Sequence, residues 1–230
     1  MRPVNKGRDL GDFSPYNNAQ QPLISRLGEN CSYCERWIAG GIHVEHKKPK
    51  GKYPNLKLKW TNFLLACGNC NSSKGSDRLN LVDYVWPDSE NTLRAFKYES
   101  EGRILPSTGF GGILDQRIED TWKLLGLNRH PDSTVAGFVI PTAKDKRWVH
   151  RKVEWQKATD NKARLLRNDT VDFREMVVDI AVSRGMFSIW YTVFSDDKDM
   201  KSRLILRFDN TERLCFDDEY DPIARPNGQI

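Results

Sequence analysis

Apolar residues recur at every third or fourth position through most of the second half of the chain, which is the spacing of one helix face. The pattern predicts helices over residues 113–125, 146–166, 171–184, 187–194 and 200–208. In the second of these helices the apolar face is formed by Trp148, Val149, Val153, Ala158 and Leu165. The segment 187–194 also fits a buried strand, but its aromatic residues at i, i+3, i+4 and i+7 favour a helix.

The first half of the chain has shorter and more varied patterns. Leu23, Ile24 and Leu27 predict a short helix after an irregular arm, and residues 42–46 alternate in the manner of a strand. Residues 60–66 return as a second extended piece. The predicted parts are an arm with its lead-in helix (1–27), a compact module (28–82), a connecting segment (83–112) and a helical region (113–230). The predicted fold class is α+β, mostly helical.

Composition places the chain among globular proteins, since 38% of its residues are hydrophobic and it holds seven Trp and ten Phe. Its apolar runs are shorter than the roughly 20 residues that cross a membrane, and its first residues contain no apolar secretory segment. We therefore expect a cytoplasmic protein without membrane contact, in which thiols stay reduced.

The positive charge is concentrated in one part of the chain. Residues 31–78 carry nine basic and three acidic side chains, a net charge of +6, whereas the other 182 residues together carry −1. A concentrated basic surface is typical of a protein that binds a polyanion such as nucleic acid. A solvated lysine-rich loop is the alternative interpretation of the charge pattern alone.

Two Cys-x-x-Cys pairs bracket this basic stretch: Cys31 with Cys34, and Cys67 with Cys70. In a reducing compartment such pairs predict a structural Zn²⁺ site rather than disulfides. The 32 residues between the pairs exceed the usual gap of roughly 15–20, so the zinc would join the two ends of an inserted segment. The fifth cysteine, Cys215, is predicted to be a small buried apolar residue.

The inserted segment carries polar residues suited to chemistry. Alternation along the first predicted strand places Glu45 and His46 on opposite faces. The helix predicted after Cys67 carries Asn71 and Lys74 three residues apart, and therefore on one face. The sequence thus predicts a β-hairpin followed by a helix, closed around a metal.

This arrangement resembles the HNH (ββα-metal) endonuclease family in its zinc-knuckle form. The resemblance rests on Glu45-His46-x-x-Pro49, on Asn62, and on Cys67-x-x-Cys70-Asn71-x-x-Lys74. It implies that His46 is the general base, that Glu45 and Asn71 bind a catalytic divalent ion, and that Asn62 braces the loop holding the base. Lys74 would contact phosphate, and we extend that prediction to Lys47 and Lys48. Glu45 stands where the family usually has Asp or His, a departure that makes the ligand longer than Asp by one methylene.

These residue types suit phosphodiester hydrolysis. Carboxylate and amide oxygens favour Mg²⁺ or Mn²⁺, and a neutral imidazole removes a proton from water near pH 7. Two alternatives stay open. Asn71 also fits a helix cap, and for His43 we favour packing or support of the metal ligands over a direct role.

A narrower resemblance connects the chain to the PtuB family, the HNH subunits of Septu and of some retron anti-phage systems. It rests on Cys31-Ser-Tyr-Cys34-Glu35, His43-Val-Glu-His46 and Trp60-Thr-Asn62-Phe-Leu-Leu-Ala-Cys67. It implies a nuclease acting on nucleic acid, DNA before RNA, with an ABC-type ATPase partner similar to PtuA. The competing hypothesis is a non-catalytic zinc ribbon that binds nucleic acid or another protein.

Overall fold

The computed structural model describes residues 1–132 and 134–230, where small two-stranded sheets are set among helices. In this part of the chain the helices α1 to α8 are Gln20–Leu27, Gly68–Lys74, Thr92–Ala95, Gly112–Leu124, Arg147–Leu165, Val171–Arg184, Phe187–Val193 and Lys198–Arg207. The strands β1 to β4 are His43–His46, Phe63–Ala66, Phe96–Tyr98 and Ile104–Pro106. The predicted α+β class, mostly helical, is confirmed.

The hairpin and the helix that follows it form as predicted. Strands β1 and β2 pair antiparallel, with Glu45 opposite Leu64 and His46 opposite Phe63. The Sγ of Cys67 caps α2 by accepting a hydrogen bond from the Cys70 amide at 3.5 Å. The extended piece predicted from Trp60 begins later, because Trp60–Asn62 forms a 3₁₀ turn before β2 starts.

Helices α4 to α8 follow the predicted boundaries closely, and 187–194 is helical rather than extended. Side-chain caps fix two of the helix starts. The Thr170 side chain accepts from the Phe173 amide at the start of α6, and the Asp197 side chain accepts from the Met200 amide at the start of α8.

The apolar face predicted for α5 is only partly buried: Ala158 and Leu165 are buried as predicted, but Val153 is not. Val153 is 44% exposed. The buried residues of this helix are Arg147, Arg151, Glu154, Ala158, Asn161 and Leu165. Their charges have partners on other segments. The Arg151 Nε donates to the Gly102 carbonyl at 2.6 Å, and Arg184 pairs with Glu154 at 2.5 Å. Distant partners therefore decide which face of this helix is buried.

Two hydrophobic clusters form the core. The first joins the N-terminal segment, the module, the connecting segment and α4, with Phe63, Trp86 and Trp122 among its members. The second is built mainly by α5 to α8, around Trp190 and Leu204. Helix α4 thus belongs to the first cluster and packs on the connecting segment, where the Trp122 Nε1 donates to the Ile104 carbonyl at 2.7 Å, although the sequence grouped α4 with the helices that follow.

Candidate functional site

The four paired cysteines come together at one buried point. Their Sγ atoms all lie within 4.8 Å of one another, and those of Cys34 and Cys67 are 3.7 Å apart. A tetrahedral zinc with Zn–S bonds of 2.3 Å would separate its sulfurs by about 3.8 Å. The cluster therefore fits Zn²⁺, as predicted. Cys215 is fully buried, as predicted, and burial raises its pKa to about 12.

Two arginines lie against the sulfur cluster. A zinc ion bound by four thiolates carries a formal charge of about −2, which is costly to bury without compensation. Arg147 of α5 brings Nη1 to 3.1 Å from the Cys70 Sγ. Burial opposes the charged form of Arg36 and Arg147, but the nearby Cys34 and Cys70 sulfurs raise the pKa of both guanidinium groups. Arg147 follows Cys70 by 77 residues, so the contact cannot be predicted from local sequence patterns.

The first knuckle also docks onto the turn between α6 and α7. The Glu35 carboxylate accepts hydrogen bonds from the Ser188 amide at 2.8 Å and from its hydroxyl at 2.6 Å. The Met186 amide donates to the Glu35 carbonyl at 2.8 Å. Gly185 permits this approach: its φ is +75°, and a Cβ there would lie 2.4 Å from the Glu35 carbonyl oxygen.

His46 is held in one tautomer. Its Nε2 lies 3.0 Å from the Lys57 carbonyl oxygen. A carbonyl only accepts, so Nε2 carries the hydrogen and Nδ1 keeps its lone pair. The imidazole lies edge-on against Tyr16 and Phe63, with ring centroids 4.8 and 5.0 Å away. Burial lowers the pKa of His46 below 6.5, which favours the neutral form that a base needs.

Asn62 braces the loop that follows β1. Its Oδ1 accepts from the Lys48 amide at 2.8 Å, and its Nδ2 donates to the carbonyls of Lys48 and Leu56 at 2.9 and 3.2 Å. The side chain is 97% buried, being only 3% exposed. This is the structural role that the sequence predicts for Asn62, and it fixes the loop on which the Lys57 carbonyl lies.

Glu45 and Lys74 form a buried ion pair. The Lys74 Nζ lies 3.0 Å from the Glu45 Oε1, and the two side chains are 2% and 4% exposed. We predicted that Lys74 contacts the substrate phosphate, but in the structure its ammonium group is paired with the Glu45 carboxylate. Oε1 still has no hydrogen-bond partner of suitable geometry. Burial raises the pKa of Glu45, and the Lys74 charge opposes that effect.

One cavity of about 640 Å³ collects the predicted residues, with His43, Glu45, His46, Asn71 and Lys74 in its wall. His43 is exposed and lies in this cavity wall. Of the two roles that we favoured for it, packing is therefore wrong, and support of the metal ligands stays a prediction. A buried carboxylate oxygen without a hydrogen-bond partner, together with the Asn71 amide, is a donor set that fits Mg²⁺ or Mn²⁺. The sequence did not predict two further members of the wall, Tyr16 and Lys50.

Lys47 contradicts its predicted role in phosphate binding. It is 8% exposed, and its Nζ lies 2.7 Å from the Asp88 Oδ2. Lys6 reaches the same oxygen at 2.9 Å. The second predicted lysine, Lys48, lies over the Tyr53 ring at 4.9 Å, outside the cavity wall. Asp88, in the connecting segment, therefore neutralises Lys47 of the lysine run. Residues near Lys47 in sequence do not indicate this contact.

Replacing Asp88 with Asn is expected to destabilise the protein by about 3–5 kcal/mol at pH 7, because two buried ammonium groups lose their partner. The two lysines hold the pKa of Asp88 well below its usual range despite burial. Its contribution is therefore present above pH 3.8 and is lost as the pH falls through the folded-state pKa. Urea unfolding at pH 7 and pH 3 measures both effects.

Asp12→Asn is the matched control for Asp88→Asn. Asp12 pairs with Lys59 at 2.8 Å, but the two side chains are 50% and 47% exposed. An exposed pair contributes at most about 1 kcal/mol. Equal effects of the two substitutions would contradict the buried cluster.

The segment that carries these residues is similar to known proteins. Residues 31–77 match the HNH endonuclease family, and that segment contains the four cysteines and the predicted catalytic residues. The chain is also 32% identical over 89 residues to the Septu protein PtuB of Bacillus thuringiensis. That match covers 36% of this chain and 35% of the relative, so it spans about a third of each protein. Among the described residues, no helix combines the length and apolar character needed to cross a membrane.

Proposed function

We propose that this protein is a divalent-metal-dependent HNH endonuclease that hydrolyses phosphodiester bonds of nucleic acid, DNA before RNA. It would act in the cytoplasm as the effector of an anti-phage system, with an ABC-type ATPase similar to PtuA as its partner. The similarity to a Septu protein supports the defence role. The observation that carries the nuclease proposal is the placement of His46: its Nε2 is bonded to the Lys57 carbonyl, and His46 lies in the same cavity wall as Glu45 and Asn71.

The chemistry follows from the free nitrogen of His46. Nδ1 takes a proton from water, the water oxygen attacks phosphorus, and the bond from phosphorus to the leaving oxygen breaks. The Lys57 carbonyl stabilises the imidazolium that forms, because it accepts the Nε2 hydrogen. A divalent ion bound by Glu45 and Asn71 would supply positive charge for the phosphoryl and leaving oxygens. The paired Lys74 favours the ionised form of Glu45 and so opposes the rise in pKa that burial causes.

Cleavage of supercoiled plasmid DNA and of single-stranded RNA tests the proposal. The zinc-loaded chain is assayed with Mg²⁺ or Mn²⁺, alone and with a co-expressed ATPase subunit. Nicking that requires the added divalent ion supports the nuclease. Binding of DNA or RNA without cleavage, both with and without the ATPase subunit, would support the zinc-ribbon alternative. The basic charge of residues 31–78 would then serve nucleic-acid binding alone.

The pH dependence of hydrolysis follows from two shifted groups. His46 acts when neutral, and burial lowers its pKa from 6.5. Glu45 acts when ionised, and burial raises its pKa from 4.5. Both groups act in the deprotonated form, so we expect kcat/KM to rise with pH along an acid limb, to which His46 contributes below pH 6.5. Initial rates between pH 5 and 8 at constant ionic strength measure this, and rates that do not rise with pH below 6.5 would contradict it.

A further inference from the structure

The N-terminal segment forms one wall of the catalytic cavity, although it precedes the matched family segment. Residues 11–13 lie along the loop before β2. The Phe13 amide donates to the Leu58 carbonyl at 2.9 Å, and the Trp60 amide donates to the Gly11 carbonyl at 3.2 Å. Gln20 adds a bond of 2.7 Å from its Nε2 to the Ile42 carbonyl, directly before β1. These bonds fix the intervening residue Tyr16 beside the active site.

Tyr16 contacts the base itself. Its ring meets the imidazole of His46 at an interplanar angle of 70°, while Phe63 meets the same imidazole at 88°. The base is therefore packed between two aromatic side chains and held at Nε2 by the Lys57 carbonyl. Removing one ring would leave the imidazole free to rotate about its side-chain torsions.

The hydroxyl of Tyr16 makes a second contact, to a lysine of the cavity wall. The Lys50 Nζ donates to the Tyr16 hydroxyl at 2.7 Å and lies 4.1 Å from the ring centroid. Lys74, the other lysine of this wall, is buried and paired with Glu45. Within residues 1–132 and 134–230, Lys50 has no carboxylate within ion-pair distance, and it is exposed. Its charge is thus available to an incoming phosphate.

We propose that Tyr16 is a positioning residue that holds the His46 imidazole with its ring and directs Lys50 onto the substrate phosphodiester with its hydroxyl. The proposal rests on the proposed nuclease function and deepens it. A phosphate contact by Lys50 replaces the contact that the sequence assigned to Lys47. An N-terminal residue outside the matched segment 31–77 thereby completes the site.

Two substitutions separate the functions of the ring and the hydroxyl. Tyr16→Phe keeps the ring and loses the Lys50 bond, so we expect KM for a fluorophore–quencher DNA duplex to rise several-fold with kcat near wild type. Tyr16→Ala loses both, and kcat should also fall by about 10–100-fold because the base is misplaced. Lys50→Gln should copy the Tyr16→Phe effect on KM. It should also reduce the slope of log affinity against log salt by about 1, measured on a His46→Ala background.

The controls are Tyr84→Phe, which removes a hydroxyl outside the cavity wall, and Lys97→Gln, which removes one exposed charge on β3. Both should match wild type. Zinc content and thermal unfolding establish that each variant is folded, and Tyr16→Phe with Lys50→Gln decides the question if Tyr16→Ala does not fold. Wild-type activity with unchanged kcat, KM and salt slope in all three variants would overturn the positioning role alone. An inactive wild type would overturn the nuclease proposal and this inference with it.

Discussion

Replacing His46 with Ala is expected to lower phosphodiester hydrolysis by about 10²–10⁴-fold, the usual contribution of a positioned general base. The Lys57 carbonyl fixes the hydrogen of His46 on Nε2, so Nδ1 keeps a lone pair in a fixed orientation. The loss should appear in kcat, since the base acts on water rather than on the bound polymer. Single-turnover cleavage of a plasmid measures it.

Nucleic-acid binding and zinc content should stay at wild-type values in His46→Ala. The four cysteine sulfurs form the zinc site, and the His46 side chain is bonded to the Lys57 carbonyl instead. His43→Ala is the informative comparison, since His43 also faces the cavity but is exposed. We expect it to cost less than 10-fold, as its side chain is not held in one orientation. Cleavage by His46→Ala at the wild-type rate would show that another group, or hydroxide itself, takes the proton.

Removing zinc is expected to disorder more than the knuckles. Structural zinc supplies about 10–16 kcal/mol of folding free energy, which equals or exceeds the stability of a typical domain, about 5–15 kcal/mol. Arg147 on α5 contacts Cys70 at 3.1 Å, and Glu35 bonds Ser188 at the start of α7. Cys70→Ser should therefore abolish zinc binding and expose amides in the first turns of α5 and α7 as well as in β1 and β2.

Hydrogen–deuterium exchange with mass spectrometry tests this, alongside zinc determination by atomic absorption. Cys215→Ser is the matched control, because Cys215 is equally buried but lies in the second hydrophobic cluster. It should retain one equivalent of zinc and wild-type protection in β1 and β2. Loss of protection confined to residues 28–82 in Cys70→Ser would contradict the coupling of the knuckles to the helices.

Local signals sufficed for the centre of the site. The Cys-x-x-Cys pairs, the strand bearing Glu45 and His46, and the helix bearing Asn71 depend on spacings of a few residues. The structure gathers the four cysteines at one buried point and places Glu45, His46 and Asn71 in the wall of one cavity. Contacts between distant segments could not be predicted in this way. Asp88 neutralises Lys47 from 41 residues away, and nothing near Lys47 in sequence indicates it.

The same limit explains the error in α5. Periodicity assumes that apolar residues are buried and charged residues exposed, and it therefore predicted a buried Val153, which is 44% exposed. Arg147 and Arg151 are buried instead, because the Cys70 sulfur and the Gly102 carbonyl, both far along the chain, receive hydrogens from them, and the nearby Asp145 carboxylate also pairs with Arg147. A residue such as Tyr16 was missed for a related reason, since its partner His46 follows it by 30 residues.

The close approach at Gly185 shows that the segment matching the HNH family depends on residues outside it for its packing. Residues 31–77 match the HNH endonuclease family. Glu35, within that segment, accepts a hydrogen bond from the Met186 amide in the turn after α6. The two segments lie so close that no side chain fits at Gly185. A chimera that exchanges only the matched segment between relatives would have to preserve this fit. Single substitutions in the α6–α7 turn, far along the chain from the proposed catalytic residues, would then cause loss of the proposed nuclease activity.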